Sequence, residues 1–209
     1  MSEHGTHSGE HRSHGHRREM RITGFKQYKP SKVLTPAVVL SIVSVALLFL
    51  ARFTLLPGSD MMPYMVIAHV LGGLGLSILV WAIVSIPDPI TKHLDWWACS
   101  AAFAVMAYHL TVAAAYLVDF DYGLESAAIA MWGLKTALIT IMIRDLLLMR
   151  NNDLLMAAVL LLVYCVAGCP FMLSGGFGFL QWFLAKVVTV LLSIQLYRSY
   201  MSLYNDPNL

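Results

Sequence analysis

Charged side chains are scarce in this sequence. Asp, Glu, Lys and Arg make up 12% of 209 residues, about half the share in soluble domains. With 58% hydrophobic residues, that scarcity excludes an ordinary soluble domain and points to an integral membrane protein. Cysteine is scarce too. Cys99, Cys165 and Cys169 are too few, and too apolar in setting, for a disulfide framework or a thiolate metal cage. No nucleophile and base pair, phosphate loop or zinc-protease spacing is present, so an enzymatic activity is left unassigned. The first 30 residues contain no apolar stretch of the kind that forms a cleavable signal, so insertion is expected to use the first span.

Long uncharged runs are what the chain has instead. A helix needs about 20 apolar residues to cross a ~30 Å hydrocarbon layer at 1.5 Å per residue. Residues 33–51, 61–87 and 96–118 meet that need, and 154–185 is too long for one helix. Pro170, Gly175, Gly176 and Gly178 break the last run, giving spans near 154–172 and 179–200. A further span near 125–148 tolerates Lys135, as the last tolerates Lys186. The expected fold is therefore all-α, with six transmembrane helices in an antiparallel bundle. This membrane domain covers 33–202, between a basic tail (1–32) and a short C-terminal tail (203–209). Connections such as 87–95 and 119–124 are short enough to make successive helices antiparallel neighbours and leave no room for a soluble domain.

Lysine and arginine in short flanks set the expected orientation. Residues 1–32 hold 7 of the 14 Lys and Arg but 3 of the 12 acids, and Lys92, Arg144, Arg150 and Arg198 fall on the same side in a six-span count. Arg52 is the one flanking cation opposite, beside Asp60, Asp119, Asp121 and Glu125. Both termini are thus expected to be cytoplasmic, and the basic tail faces lipid or partner subunits rather than nucleic acid.

Five of the eight histidines lie in that tail, at His4, His7, His11, His14 and His16. Between them stand Gly, Ser, Glu and Arg, with too little apolar surface to offset ordering entropy, so the tail is expected to be disordered. Free imidazoles there offer weak, unselective metal sites. Arg17 to Lys32, with Phe25 and Tyr28, suit a juxtamembrane segment lying along the surface. His93, beside Lys92, Asp95, Trp96 and Trp97, reads as interfacial.

His69 and His109 stand apart because ionisable residues inside a bilayer are costly and mark functional sites by default. Counted from Pro63 and from Val118, they lie roughly 9 Å and 13 Å from the same face at 1.5 Å per residue. On consecutive antiparallel helices they can meet across one interface. Two facing helical histidines are what bis-imidazole ligation of a b-type haem requires. Gly72, Gly73, Gly75, Ala113, Ala114 and Ala115 offer small side chains for a flat macrocycle. The same residues also suit close helix packing with no cofactor. Metal binding, a quinone site, a proton relay and simple hydrogen bonding remain open alternatives.

Lys135 and Lys186 fall in the same outer half. They suit haem propionates, an anionic or quinone headgroup, or pairing with Asp119, Asp121 and Glu125, because an unpaired ammonium is disfavoured in hydrocarbon. Snorkelling to the headgroups is the plain alternative, more so for Lys186. The Asp119, Asp121 and Glu125 rim suits a solvated turn or a basic docking partner. Cys165 and Cys169, i and i+4, read as small core residues.

The leading expectation is a membrane subunit of a respiratory or other electron-transfer complex, with a b-haem at His69 and His109 or a quinone near Lys135 and Lys186. A small channel or transporter with a His- and Lys-lined path is the alternative, and a purely structural or assembly subunit is the third.

Overall fold

The computed structural model describes residues 31–53, 61–84, 96–118, 122–148, 151–169 and 176–205. Among them are six helices and no strand: α1 (Ser31–Phe53), α2 (Met62–Val84), α3 (Trp96–Leu117), α4 (Tyr122–Leu148), α5 (Asn152–Ala167) and α6 (Gly176–Asn205). The tail histidines His4 to His16, together with His93, Asp119 and Asp121, lie outside the described residues.

Five helices, all but α5, are long and apolar enough to cross a membrane. With 16 residues, α5 spans about 24 Å at 1.5 Å per residue, short of a full crossing. The expected fifth span to residue 172 is therefore corrected. The helix stops at Ala167, with Gly168 as its C-cap and Pro170, which cannot continue it, close behind. Its start is set by Asn151, whose Oδ1 accepts from the amides of Asp153 at 2.8 Å and Leu154 at 3.3 Å. Asp153 adds negative charge in the first turn, where the helix dipole favours it. The last helix is longer than expected, running unbroken through Gln195 and Arg198 to Asn205.

Each helix packs on the next, and α6 closes back on α1 and α2. The core inside holds Leu76, Leu79, Ile139, Met142, Leu154, Leu161, Leu192 and Leu196, all fully buried. Outward-facing positions are also apolar, with Phe103 76% exposed and Val166 67% exposed. A core and a periphery that are both apolar fit a bundle whose outer solvent is lipid.

Hydroxyl side chains in these helices turn back on their own backbone. Ser41 donates to the Ala37 carbonyl at 3.1 Å, Thr111 to Ala107 at 2.9 Å, and Ser193 to Thr189 at 2.8 Å. That back-bonding satisfies the hydroxyl where no water competes. At the other end of α5 from the C-cap, Gln195 and Ser199 of α6 both donate to the Asp153 carbonyl, at 3.0 and 2.9 Å, pinning the two helices together.

The seam between α1 and α2 is built from small residues. A Cβ placed on Gly75 would lie 2.6 Å from the Ala37 carbonyl oxygen and 2.9 Å from the Ser41 amide, and one on Gly72 would lie 2.5 Å from Ser44 Oγ. Backbones this close gain dispersion contact that larger residues would prevent. This close approach brings α2, and with it His69, into the middle of the bundle.

Candidate functional site

His69 lies seven residues into α2 and His109 eight residues before the end of α3. Antiparallel packing brings them to one level, and the imidazoles meet Nδ1 to Nδ1 at 3.4 Å. Their ring centroids are 5.6 Å apart with planes tilted by 43°. The second nitrogen of His109, Nε2, lies 3.3 Å from the Tyr164 hydroxyl of α5. Both distances lie just beyond the usual hydrogen-bond range of about 2.7–3.2 Å. Tyr116, two turns along α3 from His109, stacks on His69 with centroids 5.7 Å apart.

The ring of Tyr164 in turn faces Lys135. Lys135 is fully buried, and its Nζ lies 4.0 Å from the Tyr108 ring centroid and 4.4 Å from that of Tyr164. Ring faces attract a cation at this range. Lys186 of α6 is close enough to act electrostatically on His69, His109 and Lys135 alike. The structure thus gathers all four sequence-derived positions, His69, His109, Lys135 and Lys186, in one region between α2, α3, α4, α5 and α6.

Sequence reasoning missed Tyr108, Tyr116 and Tyr164. The available signal was chemical: a phenol in an apolar helix seeks a partner for its hydroxyl. It also missed how the buried end of α5 is satisfied. The Tyr164 and Val166 carbonyls accept from the amides of Gly168 and Cys169 at 3.0 and 3.2 Å. The Cys165 carbonyl accepts from Trp132 Nε1 at 3.2 Å, and the Cys169 carbonyl from Gln181 Nε2 at 3.1 Å. Donors from α4 and α6 thus cap a helix that ends early, as hydrocarbon surroundings demand.

A bis-histidine haem would need a different arrangement of the two imidazoles. An iron porphyrin needs its axial nitrogens on opposite faces with the macrocycle between them. Here the imidazoles bond directly to each other, and the remaining nitrogen of His109 is engaged by Tyr164. The small residues leave no slot either: a Cβ on Gly73 would sit 2.6 Å from His109 Cβ, and Gly72 and Gly75 are filled by α1. Among the described residues, no three His, Cys, Asp or Glu side chains converge as a metal site.

A second cluster marks the end of α1 and the start of α6. Arg52 lies over the Trp182 ring at 4.9 Å and the Phe179 ring at 5.9 Å. Phe49 packs edge-on against Trp182 and Phe183, and Phe53 edge-on against Phe179. Aromatic side chains grouped about one cation suit the headgroup level of a bilayer.

No protein family, curated protein or solved structure matches this chain.

Proposed function

We propose that the protein is a small membrane transporter that moves protons along His69, His109 and Tyr164 inside the bilayer. The observation that carries this reading is the unbroken sequence of polar contacts, 3.4 Å and then 3.3 Å, in an apolar bundle. Imidazole both gives and takes a proton, so the chain has two polarities. In one, His69 Nδ1–H donates to His109 Nδ1 while His109 Nε2–H donates to Tyr164. In the other, Tyr164 donates to His109 Nε2 while His109 Nδ1–H donates to His69. A proton arriving at His69 Nε2 converts the first into the second once a water or solute base at the far end takes the Tyr164 hydroxyl proton. Ring rotation then resets the chain.

The electron-transfer reading draws on the same contacts. In it the chain is a membrane subunit of a larger complex, and the relay feeds protons to a quinone, whose reduction consumes them within the membrane. Haem has no part in this version, because the histidines bond to each other.

Reconstitution into liposomes holding a pH-sensitive dye tests the transport reading. The intact chain alone should dissipate an imposed pH gradient, and His109→Ala should lose most of that flux. A flux equal to empty liposomes, together with quinone-dependent activity only when other subunits are retained, would move the relay to the electron-transfer reading.

A further inference from the structure

We propose that Lys135 anchors a small monovalent anion, of halide to carboxylate size, within the bundle beside the proton relay. The side chain is 0% exposed, and its Nζ has no hydrogen-bond partner. A buried ammonium carries three donors, and leaving them unused costs free energy that an acceptor would recover. The two tyrosine faces offset its charge but accept none of its N–H bonds in line. The carbonyls ending α5 accept from Gly168, Trp132, Cys169 and Gln181, and Nζ makes no bond to them.

No described carboxylate supplies the missing charge. Glu125 is exposed and ten residues before Lys135, about 15 Å along the helix. Asp145 lies as far the other way and is paired with Arg144 at 2.7 Å. Asp153 is at the opposite end of α5 from Tyr164. Lys186 of α6 adds a second cation to the surroundings of Lys135. Two lysines, two histidines and three tyrosines thus form a cluster of donors with cationic character, and an anion complements it in both charge and hydrogen bonding.

Size follows from the walls. The ammonium is flanked by the Tyr108 and Tyr164 rings, and a Cβ on Gly168 would lie 3.8 Å from it, so the walls exclude a bulky ion. Tyr164 belongs to both features, touching His109 with its hydroxyl and Lys135 with its ring. An anion here would travel with the proton, keeping the carried charge near zero. That role rests on the transport reading, whereas binding itself does not.

The test is thermal unfolding of the purified full chain in detergent at constant ionic strength, with gluconate replaced stepwise by chloride and, separately, by acetate. A bound anion raises the melting temperature saturably, following RT ln(1 + [L]/Kd). Lys135→Met should weaken the apparent affinity about tenfold or more, equivalent to about 1.4 kcal/mol, while Lys135→Arg retains it. If Lys135→Met does not fold, broadening of the chloride NMR line by the intact chain, relieved by acetate, serves instead. Absence of that broadening overturns the site, as does the lack of a saturable shift up to about 200 mM. A shift undiminished in Lys135→Met also overturns it. Anion binding without proton flux would uphold the site and sink the transport reading, and flux without anion binding would do the reverse.

Discussion

Gly73 of α2 faces His109 of α3 so closely that a Cβ on the glycine would lie 2.6 Å from the histidine Cβ and 3.2 Å from its Cγ. The contact fixes the spacing of the two helices and, through it, the distance from His109 to His69. Gly73→Ala should therefore separate α2 from α3, costing about 1–3 kcal/mol as overpacked interiors do. Gly133, where an added Cβ would meet nothing within 4 Å, is the internal control, and Gly133→Ala should be neutral or slightly stabilising. Denaturant titrations in mixed micelles would compare the two. Equal stability for both would show that the α2 and α3 seam yields without cost.

Tyr164→Phe removes the hydroxyl that reaches His109 and keeps the ring that faces Lys135. Hydrogen bonds between membrane helices are worth about 0.6 kcal/mol on average and at most about 1.7. The variant should therefore fold almost normally while proton flux falls severalfold. Flux at the level of the intact chain would place the proton path elsewhere.

The level of the two histidines was legible in the sequence because antiparallel helices joined by short turns convert residue counts directly into depth. Lys135 and Lys186 were legible on the same grounds. Ring orientation was not, since a helical residue count fixes height but not rotation, and rotation here is decided by α2 pressing onto α1 at Gly72 and Gly75. Those glycines therefore suggested room for a macrocycle, whereas Ser44, Ser41 and the Ala37 backbone occupy it. The end of α5 was misplaced because the helix stops at Ala167, several residues before composition alone would end it. The apolar residues Phe171 and Met172 continue the hydropathy signal past the true end, which Gly168 and Pro170 decide.

Removing the donors that cap α5 should loosen its last turn. Trp132→Phe leaves the Cys165 carbonyl without its indole partner, and Gln181→Leu does the same to the Cys169 carbonyl. An unsatisfied buried acceptor costs about 1–3 kcal/mol. Hydrogen exchange of the Cys165 to Cys169 amides should accelerate in both variants, with the Asn151-capped start of α5 unchanged. Uniform acceleration along α5 would mean that the helix opens as one unit.

Lys135→Met separates stability from function at the buried ammonium. Methionine matches the length of the aliphatic stem and brings no donors, and replacing a buried unpaired polar group by an apolar one of similar shape is neutral or stabilising. The two tyrosine faces lose a cation worth about 0.5–2 kcal/mol, while the unmet hydrogen-bonding demand of Nζ disappears, so the two terms nearly cancel. Unfolding free energy should stay within about 1 kcal/mol of the parent, while transport through the cluster is lost. Destabilisation well beyond that figure, with transport lost in proportion to the folded fraction, would make Lys135 a structural strut between Tyr108 and Tyr164 and remove it from the anion path.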